Sequence, residues 1–188
     1  MSNFQKTTLS VYHNDWYKNY LGATKLKQIC WFLVNVICFI NPLNPSSYIR
    51  VVLLKLFGAR LGRNVIIKPG VNIKYPWKLS IGDYSWIGEK VWIDNLAEVS
   101  IGSNVCISQG AMLLTGNHNY SKSTFDLTIG KIIIEDGVWI GAKAVVCPGV
   151  ICHSHAVLAV GSVATKELEP YSIYQGNPAA KIRARVIK

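Results

Sequence analysis

An aliphatic residue returns at every sixth position through most of this chain. The series opens at Leu61, Ile67 and Ile73, resumes at Ile81, Ile87 and Ile93, and again at Ile101, Ile107 and Leu113. After a break it runs Ile134, Ile140, Val146, Cys152 and Leu158. A fixed short period decides the architecture before local propensity is weighed. Six residues suit neither the 3.6-residue helix repeat nor a long strand. They suit one flat side of a prism, a short strand followed by a turn. Three sides make an 18-residue coil, and stacked coils bury the marked aliphatics in a continuous column. The expectation is a mainly-β coil, with the phase slips at Leu79-Ser80 and Val99-Ser100 placed at corners. Outside the interruption at 115–131, residues 61–168 supply about five coils, only ~25 Å of stack at the usual strand spacing. So short a prism has open ends and flat faces that invite caps and self-association.

Three units follow: an N-terminal arm and helical cap (1–60), the hexapeptide coil with its projecting insertion (61–168), and a basic C-terminal tail (169–188). Residues 1–22 are polar and aromatic (Tyr12, Trp16, Tyr17, Tyr20), an arm to drape over the core or a neighbour. Residues 23–40 read as one helix, broken by Asn41-Pro42 through Pro45. Ser46 or Ser47 caps a second helix that ends near Gly58. The apolar run from Ile29 to Ile40 is shorter than the ~18–20 residues that span a bilayer. It reads as a buried helix closing the prism. With Trp31, Phe32, Lys25 and Lys27, the other reading is an interfacial helix giving residues 1–60 peripheral membrane contact. No secretory leader is legible before it.

The formal net charge is +10, with seven Lys or Arg against one acid in residues 1–60 and thirteen against nine in 61–188. Such a chain can meet nucleic acid, an anionic membrane or a phosphorylated ligand. No nucleic-acid motif supports the first. The tail cations Lys181, Arg183, Arg185 and Lys188 suit a phosphate-rich ligand. Five cysteines without a disulfide spacing point to a reducing cytoplasm. Cys147, Cys152, His153 and His155 look like a metal set, but Cys152 holds an inward position while the histidines fall on the next turn. No metal is expected there.

Several stretches carry more than periodicity. Residues 81–86 (IGDYSW) and 140–145 (IGAKAV) resemble the repeats of the hexapeptide-repeat acyltransferases. GVWIGAKAVVCPGV (137–150) is similar to the segment leading into the cofactor groove of maltose, galactoside and nodulation O-acetyltransferases. LAVGSVATKEL (158–168) is similar to their pantetheine-binding coil, and QGNPAAKIR (175–183) to their terminal signature. The apolar N-terminal helical segment, the stretch from LLKLFGARLG onward and CISQGAMLLTGNHNYS narrow the resemblance. They look like the colanic acid biosynthesis acetyltransferases of exopolysaccharide pathways, over about residues 20–185. The resemblance implies a left-handed parallel β-helix, usually a homotrimer, with acetyl-CoA as co-substrate. The implied acceptor is a saccharide of a cell-surface polysaccharide, free, nucleotide-linked or lipid-linked; the basic, apolar residues 1–60 motivate a lipid-linked one at the inner face of the cytoplasmic membrane.

The same resemblance assigns roles. His118, in the loop that breaks the repeat, matches the catalytic histidine; a sugar hydroxyl needs a base of near-neutral pKa to become a nucleophile. Glu89 is a candidate to orient it. Asp94, Asn95 and Asn117 are candidates for acceptor binding, although the family's acceptor Asn or carboxylate faces Gly88-Glu89-Lys90 here. Gly141 and Ala142 match the backbone donor for the oxyanion, and Trp139 should flank the thioester arm. Val160, Gly161 and Thr165 line the pantetheine path, and Lys166, Lys181 and Arg183 meet the phosphates. Lys181 stands where the family often has Arg. Three classes remain: an O-acetyltransferase, an N-acetyltransferase on an amino sugar or xenobiotic, and a non-catalytic scaffold. A carbonic-anhydrase-like use is disfavoured because His13, His153 and His155 are poorly spaced for a metal.

Overall fold

Each hexad forms a strand of two or three residues, because one inward aliphatic per side is all that can be buried before the chain must turn. The computed structural model, which describes residues 5–188, winds these strands into five coils and part of a sixth, a parallel β-helix with three sheets. In sheet A, Leu61, Ile81, Ile101, Ile134 and Cys152 stack in register. Ile67, Ile87, Ile107, Ile140 and Leu158 do so in sheet B. Sheet C stacks Ile73, Ile93, Leu113, Val146 and Ala164. All but Leu61 are buried, and together they form the core. Ile134 pairs with Ile101 across the 115–131 insertion, so the insertion leaves the stack intact.

The coils approach closely because backbone amides in one donate to carbonyls in the next. Gly82 N–H donates to Ile101 O at 2.8 Å and Trp86 N–H to Val105 O at 2.8 Å. A Cβ on Gly82 would lie 2.6 Å from the backbone of Gly102 and Ser103, so only glycine fits. The phase slips are not at corners. Leu79-Ser80 and Val99-Ser100 are the first residues of sheet A strands Leu79–Ile81 and Val99–Ile101. The corner before the first of them takes up the length, through a short 3₁₀ turn at Pro76–Lys78.

The first coil is closed by two helices. α1, Asp15–Tyr20, belongs to the arm. The cap proper is α2, Lys25–Val34, which continues as a π-helix over Asn35–Ile40, and α3, Ser47–Leu56. Thr24 and Ser46 cap them, each accepting a backbone N–H three residues on at 3.3 Å. Trp31 donates to Ile73 O at 2.8 Å and Asn35 to Asn72 Oδ1 at 2.8 Å, which fastens α2 to coil 1. Arg50, fully buried, donates to the carbonyls of Ile67, Asn44 and Pro45 and so ties α3 and its entry loop to the same coil. Desolvation lowers its proton affinity without a carboxylate to offset it.

The arm packs on this chain's own prism. Tyr17 OH donates to Leu96 O and Tyr20 OH to Glu98 Oε2, and Trp77 Nε1 donates to Leu21 O. Residues 1–4 of the arm lie outside the described residues. The tail departs from expectation: Ser172–Gly176 joins sheet B beside Val157–Leu158 and pairs antiparallel with Ala179–Ala184. The last coil edge is thereby covered by a hairpin.

Two substitutions gauge the stack. Ile140→Ala, at a fully buried position, should cost about 2–5 kcal/mol. Gly82→Ala should lower the thermal midpoint although it adds only one exposed-side methyl, because coil spacing must give. Circular dichroism melts of both variants check this, and an unchanged Gly82→Ala midpoint would contradict the close-approach argument.

Candidate active site

The 115–131 insertion leaves the corner between sheets C and A. Thr115, at its root, donates Oγ1–H to Asp94 O at 2.9 Å and accepts from Ala97 N at 2.9 Å. Gly116–His118 and Leu127–Ile129 then pair as an antiparallel hairpin, with His118 opposite Leu127. His118 Nδ1 lies 2.9 Å from Phe125 O. A carbonyl only accepts, so Nδ1 carries a proton, and in the neutral ring the lone pair is then on Nε2. The Phe125 ring stacks on the imidazole at 4.3 Å and 7°. Phe125 achieves both with a left-handed backbone, φ 52°. On the other side the arm arrives: Thr8 N–H donates to Ser123 O at 2.8 Å and the Tyr12 ring stands 5.7 Å from the imidazole.

A second feature lies on sheet B, where a groove of about 630 Å³ runs along coils 3 to 5 and the terminal hairpin. Trp139 forms one wall, 48% exposed, its Nε1 donating to Ser108 Oγ at 2.9 Å. Gly141, Ala142 and Val160 line it at the corner between sheets B and C, and Arg183 and Arg185 at the hairpin end. Gly141 N–H is already spent on Leu158 O at 2.8 Å. Ala142 N–H makes no hydrogen bond among the described residues, so of the two expected oxyanion donors it is the available one. Gly161, beside the groove, turns with φ 66° and donates to Ala142 O.

The expected site residues fall into two groups by corner. Trp139, Gly141, Ala142, Val160, Gly161 and Arg183 gather at the groove, and Glu89 stands on the same B–C corner two coils earlier, its carbonyl accepting from Gly110 N–H. His118, Asn117, Asp94, Asn95, Thr165 and Lys166 lie on the C–A corner. Glu89 therefore does not orient His118 within one chain; the Phe125 carbonyl does. Asn95 is fully buried, accepting from Tyr75 N–H and donating to Tyr75 O, so its amide has nothing to offer an acceptor. Asn117 Oδ1 accepts from His118 N–H at 2.8 Å, and Asp94 Oδ1 pairs with Lys74 Nζ at 2.9 Å. Lys181 turns away to Glu169, 2.6 Å distant, and that hydrogen bond raises its proton affinity. Arg185 takes its place at the groove, anchored on Gly137 O and His155 O at 2.8 and 3.0 Å.

The chain is 37% identical over 169 residues, 90% of its length and 93% of the relative's, to a protein of Escherichia coli (strain K12) named as the colanic acid biosynthesis acetyltransferase WcaF. It is 31% identical to the galactoside O-acetyltransferase of that organism, over 71% of this chain and 68% of the relative. The chain belongs to the hexapeptide-repeat acetyltransferases. No protein-family model matches it. The fold agrees: a hexapeptide-repeat acetyltransferase of Vibrio cholerae, solved with acetyl-CoA, superposes with a TM-score of 0.79 at 23% identity over 100% of both chains. A galactoside acetyltransferase solved with coenzyme A superposes at 0.75 with 26% identity, over 85% of this chain and 80% of that one.

In this acetyltransferase the Cys147, Cys152, His153 and His155 set does not converge. The Cys152 thiol is buried, and desolvation pushes its pKa up to about 12. The His155 ring stacks on Tyr171 at 4.7 Å. His153 sits between Glu135 and Glu167, at 3.1 and 3.4 Å. Phe125 left no sequence signal, and Tyr12 was legible only as one aromatic of the arm, since a left-handed aromatic and a distant arm contact have no period. Arg185 was visible only as one of four tail cations.

Two outcomes test this geometry. Burial disfavours charging His153, but the hydrogen bonds to Glu135 and Glu167 outweigh it and raise its pKa above 6.5. That stabilisation is complete below the unfolded value and fades as pH rises through the folded one. The melting difference between wild type and Glu135→Gln/Glu167→Gln should thus be largest on the acid side of pH 6.5 and shrink above it. Removing residues 1–12 should speed amide hydrogen exchange at Asn119 and Phe125, while exchange in the coils stays as in the full chain.

Proposed function

We propose that this acetyltransferase is a cytoplasmic enzyme that moves the acetyl group of acetyl-CoA to a sugar hydroxyl of a cell-surface polysaccharide precursor. The observation that carries the reading is the His118 arrangement, a half-enclosed imidazole with Nδ1–H donated to a carbonyl. Its Nε2 accepts the hydroxyl proton as the sugar oxygen bonds to the thioester carbon. His118 then returns that proton to the sulfur as the carbon–sulfur bond breaks. Ala142 lines the groove with its N–H uncommitted among the described residues, and that N–H is the donor for the transient oxyanion. Trp139 and the apolar groove suit a pantetheine arm, and Arg183 and Arg185 suit its phosphates. The names of the colanic acid and galactoside relatives support a saccharide hydroxyl as acceptor.

The division of candidate residues between two corners supports a homotrimer. His118, Thr165 and Lys166 of one copy would meet the groove of the next. A head-to-tail contact of this kind closes into a ring when its rotation is a third of a turn. Active sites would then be shared, and a lone copy would hold both halves apart.

Free-thiol release from acetyl-CoA, measured with hydroxyl and amino sugars, tests the chemistry. His118→Ala should lower acceptor-dependent turnover by ~10²-fold or more, and hydroxyl sugars should be preferred. A His118→Ala enzyme as active as wild type would overturn the reading. The shared site is tested by co-expressing His118→Ala with a groove-filling Ala142→Trp chain. Each alone should be inactive, and mixed assemblies should recover activity; recovery fails if each copy works by itself.

A further inference from the structure

We propose that the helical cap docks on an anionic lipid surface, with the outer face of α2 and its π-helical continuation lying in the headgroup layer. This helix is apolar on both sides. Its inner side is spent on coil 1 through Trp31, Asn35 and Phe39, all buried. Its outer side carries Leu26, Ile29, Leu33 and Ile37, which are 71%, 59%, 52% and 61% exposed. Their spacing of three and four residues makes one continuous stripe. α3 adds Ile49, Val52 and Leu56, also exposed. The α2 stripe is an interaction surface, since single exposed aliphatics are ordinary but contiguous stripes are not.

Charge selects the occupant. Between residues 16 and 82 the chain carries ten Lys or Arg and no Asp or Glu. Lys25 begins α2 and Lys55 ends α3, both exposed. Aliphatics flanked along the chain by cations match the acyl boundary and anionic headgroups of a bilayer, and Asp94, the acid that lines the surface beside α2, is already paired with Lys74. A self-complementary contact with a second copy would set cation against cation. The helix lies on the bilayer and does not cross it. Its sixteen residues, Lys25 to Ile40, reach ~24 Å against a ~30 Å hydrocarbon core. Trp31 and Asn35 also hold its other face to the prism. The groove lies two to four coils from the capped coil 1, ~10–20 Å along the prism. If the proposed function holds, a lipid-linked glycan could reach it while its anchor stays in the membrane.

Flotation of the full chain with vesicles tests this without requiring turnover. Wild type should float with phosphatidylethanolamine–phosphatidylglycerol vesicles and not with phosphatidylcholine alone. Leu33→Glu/Ile37→Glu should lose binding by at least about tenfold. That variant should keep the melting midpoint, the assembly mass by ultracentrifugation and thiol release with a soluble acceptor. Lys25→Gln/Lys55→Gln should bind more weakly and with less salt dependence. The proposal is overturned if wild type fails to float, or if the double-glutamate variant floats as well as wild type. It is also overturned if that variant changes assembly mass, which would make the stripe a contact between copies. Flotation by a chain that releases no thiol would uphold docking and count against the transferase reading alone.

Discussion

Successive coils of this protein lie about one strand spacing apart, ~4.8 Å, and every other feature is arranged around that distance. The spacing comes from amide-to-carbonyl bonds between coils, such as Gly88 N–H to Ile107 O at 2.8 Å. It admits no side chain between backbones at Gly82, Gly102 or Gly141, where a Cβ would meet the next coil within 3 Å. It also lets each inward aliphatic rest on its equivalent above and below. Core burial and backbone hydrogen bonding thus reinforce one another, and extra length is taken up at the corners, where neither is disturbed.

The coil further determines where chemistry can sit. Flat sides are occupied by two- and three-residue strands, so loops leave only from corners, and equivalent corner residues form columns. Gln109, Ala142 and Val160 make one such column along the groove, while Thr115 and Lys166 mark another corner. The His118 hairpin has no neighbouring strand in the stack. It is held instead by Phe125, by the root at Thr115 and by an arm that climbs the same corner through Tyr17 and Tyr20. A triangular prism separates its corners by a full sheet width. That geometry keeps the His118 hairpin and the groove apart within one chain.

The legible parts were those with a period or a compact motif. The inward columns and the uninterrupted stack across the insertion were read correctly, because spacing of six fixes which face a residue takes, and of the two candidate caps Ser46 and Ser47 it is Ser46 that caps α3. Misreadings arose where residues near in sequence serve different ends. Asn95 is adjacent to Asp94 yet turns inward to bond Tyr75. Lys181 is two residues from Arg183 yet pairs with Glu169, and Arg183 and Arg185 are left to line the groove. A basic tail became a hairpin because the last sheet B strand needs an edge partner, a demand that arises only once the sheet exists.

The class of reaction followed from the resemblance of particular motifs to the hexapeptide-repeat acetyltransferases. From composition and period follow the coil, its length and the cap, since these depend on local spacing repeated many times. The partner of His118 Nδ1, the free amide at Ala142 and the assignment of candidate residues to two corners do not. Each depends on which backbone groups remain after the coils have claimed theirs, and that remainder is known only when the chain has closed on itself. The cap shows both levels at once. An apolar run beside lysines admitted two readings from sequence, a buried plug and an interfacial helix. Once one side is fastened to coil 1 by Trp31 and Asn35, the aliphatics of the opposite side stay exposed among the described residues.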